Sequence, residues 1–278
     1  MLNKFLLLVV MIYSIGIFAA EDFIPIQEKA LGQSLAGAPQ LNDSLYSNPA
    51  ASSLVDVYSV DGSYMLPKSF AVSVLDTKTS SLGGAVGYFR KVADRDYFTP
   101  GVSVDNQKFI QGAKLAFMGR LSNQIGLGIA GKSIWGPDTA GKDNKLVDAD
   151  VGAIFNSGFF QMGATIRNIL GGKQSMKLDR ELSLGSRLSY NQILSLSVAA
   201  QSKLNNPKPY QIGVGAEYVS PFYFALRGGY RSLVEEARSF WGVGASFVGP
   251  KLSVHYSLEM PNQSNSPSEH MFGTTMLF

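Results

Sequence analysis

From residue 54 onward the chain alternates apolar and polar positions in short runs. The clearest is 251–260, KLSVHYSLEM, in which Leu252, Val254, Tyr256 and Leu258 interleave with Ser253, His255, Ser257 and Glu259. A period of two puts each set on its own face of a β-strand, so one face wants an apolar medium and the other a polar one. The same dyad recurs in Tyr210, Ile212, Val214, Ala216 and Tyr218, in Trp241, Val243, Ala245 and Phe247, and in Leu182, Leu184, Leu188 and Tyr190. The closing stretch 270–278, HMFGTTMLF, carries it through Phe272, Thr274 and Met276 to Phe278.

Fourteen such segments can be traced, near 54–65, 68–75, 81–90, 108–120, 124–135, 146–156, 159–168, 180–190, 192–202, 209–219, 222–231, 238–248, 251–259 and 269–278. Most hold roughly 9 to 13 residues, close to the 9 to 11 with which a tilted strand crosses a bilayer. Strands of soluble sandwiches are commonly about 5 to 6 residues, which disfavours that alternative. Tight connections (LSNQ, NSG, YN, SP, GP) alternate with longer polar ones (KVADRDYFTPGVSVDN, GPDTAGKDNK, ILGGKQSMKLD, SKLNNPKP, SLVEEA, PNQSNSPS). Together these predict an all-β fold, a transmembrane antiparallel up-and-down β-barrel of about fourteen strands. The first two connections, LP and DTKTSS, break the alternation, so twelve or sixteen strands also fit. On closure the last strand pairs with the first and no edge is left.

Composition agrees with strands that face lipid. Only 16% of the residues are charged, against roughly 25% in soluble domains, while the chain holds 29 glycines, 12 tyrosines and 17 phenylalanines. A net charge of +3 with dispersed Lys and Arg argues against a nucleic-acid partner. Residues 1–20 pair a basic start at Lys4 with an apolar stretch and end on Ala19 and Ala20, which reads as a signal peptide cleaved after Ala20. A retained membrane helix is disfavoured because the apolar run is shorter than about 20 residues. The absence of cysteine excludes disulfides, a lipidated N-terminus and thiolate metal sites. The two histidines, His255 and His270, share no ligand spacing, so neither a metal nor any other cofactor is expected.

Residues 21–53 carry no dyad and divide from the barrel of 54–278. Asp43 or Ser44 is expected to cap a helical turn, with Pro49 ending it. Small residues such as Ala30, Gly32, Ala36, Gly37 and Ala38 suit close packing inside a lumen. The segment KALGQSLAGAPQLNDSLYSNPAASSL resembles the N-terminal signature of the FadL-like long-chain fatty acid transporter barrels and their PorV-type relatives. The matching residues are Lys29, Ala30, Gly32, Asp43, Ser44, Asn48, Pro49 and Ala50, with Ser34 standing where the pattern has a second glycine. The resemblance implies that residues 21–53 form a hatch plugging the barrel. It also implies an inward kink in the third strand, where Gly83, Gly84 and Gly87 are the candidates, although these glycines could equally make room for the hatch. The aromatic end at Phe278 is similar to the signal by which bacterial barrel-assembly machinery selects outer-membrane proteins.

Motifs that suggest chemistry are weak. Residues 126–133, GLGIAGKS, match the P-loop string, but Ile125, Leu127 and Ile129 alternate through it and Gly136 and Pro137 follow where a helix should begin. His255 shares a face with Ser253 and Ser257, yet Glu259 lies roughly 13 Å along the strand, too far to orient an imidazole. No enzyme is expected. Inward-facing charges are more informative: Lys114, Arg120, Lys132, Asp148, Asp150, Arg167, Glu181, Arg187, Glu217, Arg227, Arg231 and Glu259. Up-and-down topology should bring Lys132 near Asp148 and Asp150, and Arg167 near Glu181, either to set channel selectivity or to tie wall and hatch together. Pattern and resemblance together imply a Gram-negative outer-membrane channel for passive uptake of small hydrophobic compounds, with membrane lipid, the assembly machinery and a hydrophobic ligand as partners. The alternative is a PorV-type barrel that docks secreted proteins or partner subunits.

Overall fold

The computed structural model describes residues 23–36, 38–66, 69–78, 81–92, 109–137, 142–171, 179–262 and 268–278. The expected leader over residues 1–20, with Glu21, Asp22 and Gly37, lies outside them. The strands are β1 (Tyr58–Met65), β2 (Ser69–Asp76), β3 (Leu82–Val92), β4 (Phe109–Arg120), β5 (Ile125–Pro137), β6 (Asp143–Asn156) and β7 (Phe160–Arg167). They continue with β8 (Glu181–Tyr190), β9 (Leu194–Lys203), β10 (Asn206–Val219), β11 (Phe224–Leu233), β12 (Arg238–Val248), β13 (Leu252–Pro261) and β14 (Glu269–Leu277). Each pairs antiparallel with its sequence neighbours, and β1 pairs with β14, so the sheet is a closed fourteen-strand barrel. The count agrees with the period-two reading and excludes twelve and sixteen.

The dyads sort as that reading requires. Outward residues such as Leu252, Val254, Val243 and Phe272 are exposed, whereas inward Ser253, His255, Ser257 and Ser246 are buried. Phe278 closes the seam: its amide donates to the Tyr58 carbonyl at 2.9 Å and its ring lies 5.6 Å from that of Tyr58. Among the described residues no helix is long and apolar enough to cross a membrane.

Two strands outrun their apolar pattern. β6 starts at Asp143, where Asp143 and Asn144 pair with Pro137 and Gly136. β10 starts at Asn206, opposite Lys203, with register shifts around Pro209. Backbone pairing continues beyond the apolar band, where polar side chains cost nothing in water, so hydropathy stops reporting the strand before the strand stops.

β3 pairs with β2 from Gly84 to Arg90 and with β4 from Leu82 to Val92, without a register shift. The expected kink therefore does not take the form of broken pairing. A Cβ on Gly83 would fall 2.4 Å from Thr77 Cγ2 at the neighbouring connection, and one on Gly84 would meet only the Ala116 carbonyl oxygen at 3.5 Å. A Cβ on Gly87 would fall 2.5 Å from Leu45 and 2.7 Å from the Tyr46 hydroxyl, so there the missing side chain is space used by the N-terminal segment.

That segment, residues 23–54, is almost wholly buried. Pro25, extended at φ −62° and ψ 154°, precedes the single-turn helix α1 (Ile26–Ala30). Gly32 follows in the left-handed region at φ 61°, and a Cβ there would sit 2.6 Å from the Tyr230 backbone; both facts require glycine. Two 3₁₀ turns complete the segment, Leu41–Leu45 and Ala51–Leu54. Asp43 and Ser44 lie inside the first turn, not at its cap, which is Gln40 without a capping side-chain bond. Asn48 makes an Asx turn just ahead of the second, its Oδ1 accepting from the Ala50 amide at 3.0 Å, while Ala50, the cap residue of that turn, has no capping side-chain bond.

Candidate functional site in the barrel lumen

The inward wall is chemically divided. From β2 through β6 it presents Ala71, Leu75, Ala85, Phe89, Ile110, Ala116, Met118, Ala130, Ile134 and Leu146, which pack with Phe23, Ile26, Leu45, Tyr46 and Met271 as one apolar cluster, interrupted by the buried charges of Lys91, Lys114, Lys132, Asp148 and Asp150. At its centre Phe23, Tyr46 and Phe89 form a triangle, with ring centroids 5.4 Å apart for Phe23 and Tyr46 and 6.2 Å for each other pair. Apolar side chains thus stand on both faces of these strands, one toward the outer medium and one toward the lumen. The opposite wall, β8 through β14, presents buried polar side chains such as Ser183, Ser197, Gln201, Gln211, Ser246 and Ser257.

Inward glycines determine where the N-terminal segment fits. Cβ atoms on Gly213, Gly229 and Gly242 would fall 2.2 Å from backbone atoms of Gly32, Leu31 and Lys29 respectively. Across the lumen, a Cβ on Gly128 would fall 2.4 Å from the Pro49 carbonyl carbon, and one on Gly152 would fall 2.0 Å from Asn48 Oδ1. The Asn48 amide donates to the Ala153 carbonyl at 3.1 Å. The segment's backbone occupies two troughs made by the lack of side chains on the wall. Ser44 Oγ and Ser52 Oγ share a hydrogen bond of 2.7 Å that ties the two 3₁₀ turns together. Ala30 and Ala50 are buried against opposite sides of the lumen, the methyl of Ala30 lying against Gly244 of β12 and Ala50 beside Gly128 of β5.

Ion pairs join wall to wall and wall to segment. Asp150 receives Lys114 at 3.0 Å and Lys132 at 2.9 Å, and Lys114 also donates to the Tyr46 carbonyl at 3.3 Å. Asp148 faces Lys132 in register but accepts from the Ala149 and Leu170 amides. Arg167 meets Glu181 at 2.8 Å and Gln201 at 2.6 Å. Arg120 donates to the Ser53 carbonyl at 3.1 Å. Glu217 is held by Arg187 and, at 2.6 Å, by Arg227. Glu259 receives Arg231 at 2.8 Å and Lys29 of α1 at 3.3 Å, and Lys29 also reaches Glu269. His255 does not use Ser253 or Ser257; its Nδ1 lies 2.8 Å from Ser246 Oγ and its Nε2 3.2 Å from Thr275 Oγ1.

Three charged groups of the segment sit in this interior. Burial pushes the Glu28 carboxyl up to about 7, against the opposing pull of a Ser47 hydrogen bond and of Arg167 and Lys114. Burial likewise raises Asp43 well above the usual carboxylate range, helped by Asp61 and Glu28. Burial lowers the Lys29 ammonium, a change that Glu259 partly offsets. Glu28 Oε1 and Asp43 Oδ2 have no hydrogen-bond partner. Without such partners a buried carboxylate is penalised further, in the direction of both shifts.

Sequence reasoning missed Phe23, Glu28, Tyr46, Phe89 and Ile110. A signal for the wall residues exists: 82–92, LGGAVGYFRKV, is apolar at odd and even positions alike, as a strand covered on both faces should be.

No protein-family model matches the chain, and no curated protein sequence is similar to it. Solved structures share its fold. The Pseudomonas putida toluene transporter TodX is similar at 10% identity with a TM-score of 0.67, over 95% of this chain and 99% of that one. The monoaromatic hydrocarbon channel CymD is similar at 11% identity and 0.63, over 91% and 96%. A Pseudomonas aeruginosa FadL homologue is similar at 12% identity and 0.56, over 95% and 99%. The likeness at this identity is one of architecture, the FadL-type fourteen-strand barrel.

Proposed function

We propose that the protein is an outer-membrane channel for passive uptake of small hydrophobic compounds, with residues 21–53 as its hatch. The observation that carries this reading is the apolar half of the lumen, from Phe89 and Ile110 to Ile134 and Leu146, occupied by Phe23, Leu45 and Tyr46. A pore for hydrated solutes has no use for an apolar interior, whereas a compound that partitions from water gains about 25 cal/mol per Å² of surface it buries there. The hydrocarbon cargo of TodX and CymD supports the same class. An aromatic or aliphatic solute enters from the side of the long connections, takes the place of Phe23 and its neighbours, and leaves through the wall or toward the periplasm. No step requires covalent chemistry, and the inward charges hold the hatch seated until cargo competes with it. The side exit implied by the FadL resemblance belongs to this proposal, with Gly83 and Gly84 as the positions where β3 yields most easily.

The test is uptake into proteoliposomes of a radiolabelled monoaromatic hydrocarbon against a trisaccharide of larger size. Saturable entry of the hydrocarbon alone supports the proposal. Equal entry of both, or of neither, refutes it. Stable isolation with secreted or subunit proteins, and no uptake, would favour the docking role.

A further inference from the structure

One row of outward side chains is not used by any of this. Phe70, Arg90, Gln111, Trp135 and Lys145 are register partners in succession across β2, β3, β4, β5 and β6. The row lies close to the ends of β3 and β6 that adjoin the long connections. Arg90 stacks on the Phe109 ring at 3.8 Å, and Lys145 lies 5.9 Å from the Trp135 ring centroid. The Tyr88 hydroxyl donates to Gln111 Oε1 at 2.5 Å and fixes the amide between them. Neither cation has a carboxylate partner among the described residues, and the Arg90 Nε, buried against the wall, has no acceptor there. Lys203 and Arg238, by contrast, are engaged by Asp179, Glu235 and Glu236. Among the described residues the acidic residue closest along the same face is Asp143, two positions beyond Lys145 and exposed.

We infer that this row is a docking surface for a bisphosphorylated disaccharide glycolipid of the outer leaflet. The inference rests on the proposed orientation, with the long connections outside. Three strand spacings separate Arg90 from Lys145, roughly 14 Å at about 4.8 Å each. Phosphates at opposite ends of a disaccharide can engage both cations at once, with Gln111 and Trp135 beneath the sugars. Below the row toward the tight turns, past Ser133, the outward wall is mostly apolar, with Val72, Leu115, Phe117, Ile129 and Val147 exposed to take the acyl chains. A guanidinium held over a ring and without a carboxylate partner is already positioned for an anion at its outer nitrogens, so binding costs little side-chain entropy.

Trp135 is itself the reporter, because the chain has only one other tryptophan, Trp241. The full chain with Trp241→Phe, in nonionic detergent, is titrated with the bisphosphorylated lipid, the same lipid after phosphate removal, phosphatidylglycerol, and inorganic phosphate. The bisphosphorylated lipid should shift Trp135 emission saturably, and Arg90→Gln and Lys145→Gln should each weaken it about tenfold, as for loss of a charge-assisted bond. Arg90→Lys, which keeps the charge, should fall between. Equal binding of the dephosphorylated lipid or of phosphatidylglycerol, competition by phosphate alone, or unchanged binding by both Gln variants overturns the inference. Binding is read apart from transport. A chain that docks the lipid but passes no hydrocarbon overturns the channel, and one that passes hydrocarbon without docking overturns this surface.

Discussion

Gly128 and Gly131 lie three residues apart on β5 and face opposite ways. A Cβ on Gly128 would fall 2.4 Å from the Pro49 carbonyl carbon, 2.5 Å from its oxygen and 2.6 Å from the Ala50 nitrogen, while one on Gly131 would meet nothing within 4 Å. β5 is paired on both sides, with Gly128 opposite Met118 on β4 and Gly152 on β6, so the wall cannot retreat. The methyl of Gly128→Ala must push the Asn48–Ala50 backbone out by about 1 Å to reach ordinary contact. Overpacking of this kind costs about 1 to 3 kcal/mol. Displacement also breaks the Asn48 bond to the Ala153 carbonyl, about 1 kcal/mol more. The equilibrium between seated and unseated segment should move by about 2 to 4 kcal/mol, or roughly 30- to 1,000-fold. Gly131→Ala, on the outward face of the same strand, should move it by nothing measurable.

The readout can be direct, because the chain has no cysteine of its own. Ser47→Cys places a thiol within the buried segment, and its rate of maleimide labelling reports how often the segment leaves its trough. In this background Gly128→Ala should label at least tenfold faster than Gly131→Ala and show larger single-channel conductance in planar bilayers. Should the two variants label and conduct alike, the troughs do not hold the segment and the reasoning from missing side chains fails.

Four other outcomes follow from the same contacts. Glu28, at about 7 in the seated state against an ordinary 4.5, keeps its proton where a solvated carboxyl loses it. Its stabilisation of the seated segment is therefore complete below about pH 4.5, declines as pH rises, and is gone above 7, for a total of about 3 kcal/mol. Maleimide labelling of the Ser47→Cys variant, which also removes the Ser47 bond that lowers Glu28, should accelerate over that window relative to a free thiol at the same pH, with Asp43 acting in the same direction, and Glu28→Gln should flatten Glu28's share. Lys29→Met removes one of two cations from Glu259 but leaves Arg231 at 2.8 Å. It should cost about 1 to 2 kcal/mol in urea unfolding, less than the 3 to 5 of a fully orphaned buried charge. Phe23→Ala opens the aromatic triangle and should raise hydrocarbon uptake in proteoliposomes without admitting the trisaccharide; admission of both would show the apolar half to be a wall and not a path. Deleting Phe278 removes its bond to the Tyr58 carbonyl and its ring contact, so the yield of heat-modifiable barrel on refolding should fall several-fold.

How far each part of the molecule was legible depends on which solvent enforces it. Lipid requires an apolar side chain at every second residue of an outward face, so β13 and β14 read directly from Leu252, Val254, Phe272 and Met276. Water imposes no such rule on Asp143 or Asn206, and the ends of β6 and β10 were read short. The lumen is enforced by neither medium but by another piece of the same chain, and packing there leaves a mixed trace. Lys132 opposite Asp148 follows from adjacent strands; Lys114 reaching Asp150 spans β5 and follows only from inward side chains converging in a narrow space. Gly87, Gly128 and Gly152 are the extreme case. In sequence an inward glycine reads equally as a kink, a bulge or room for another backbone. At Gly87 the pairing of β3 is unbroken and a Cβ would stand 2.5 Å from Leu45, so the N-terminal segment uses the space a side chain there would fill. The signature residues Asn48, Pro49 and Ala50 and the wall glycines are thus two halves of one fit, each without an evident reason until the other stands beside it.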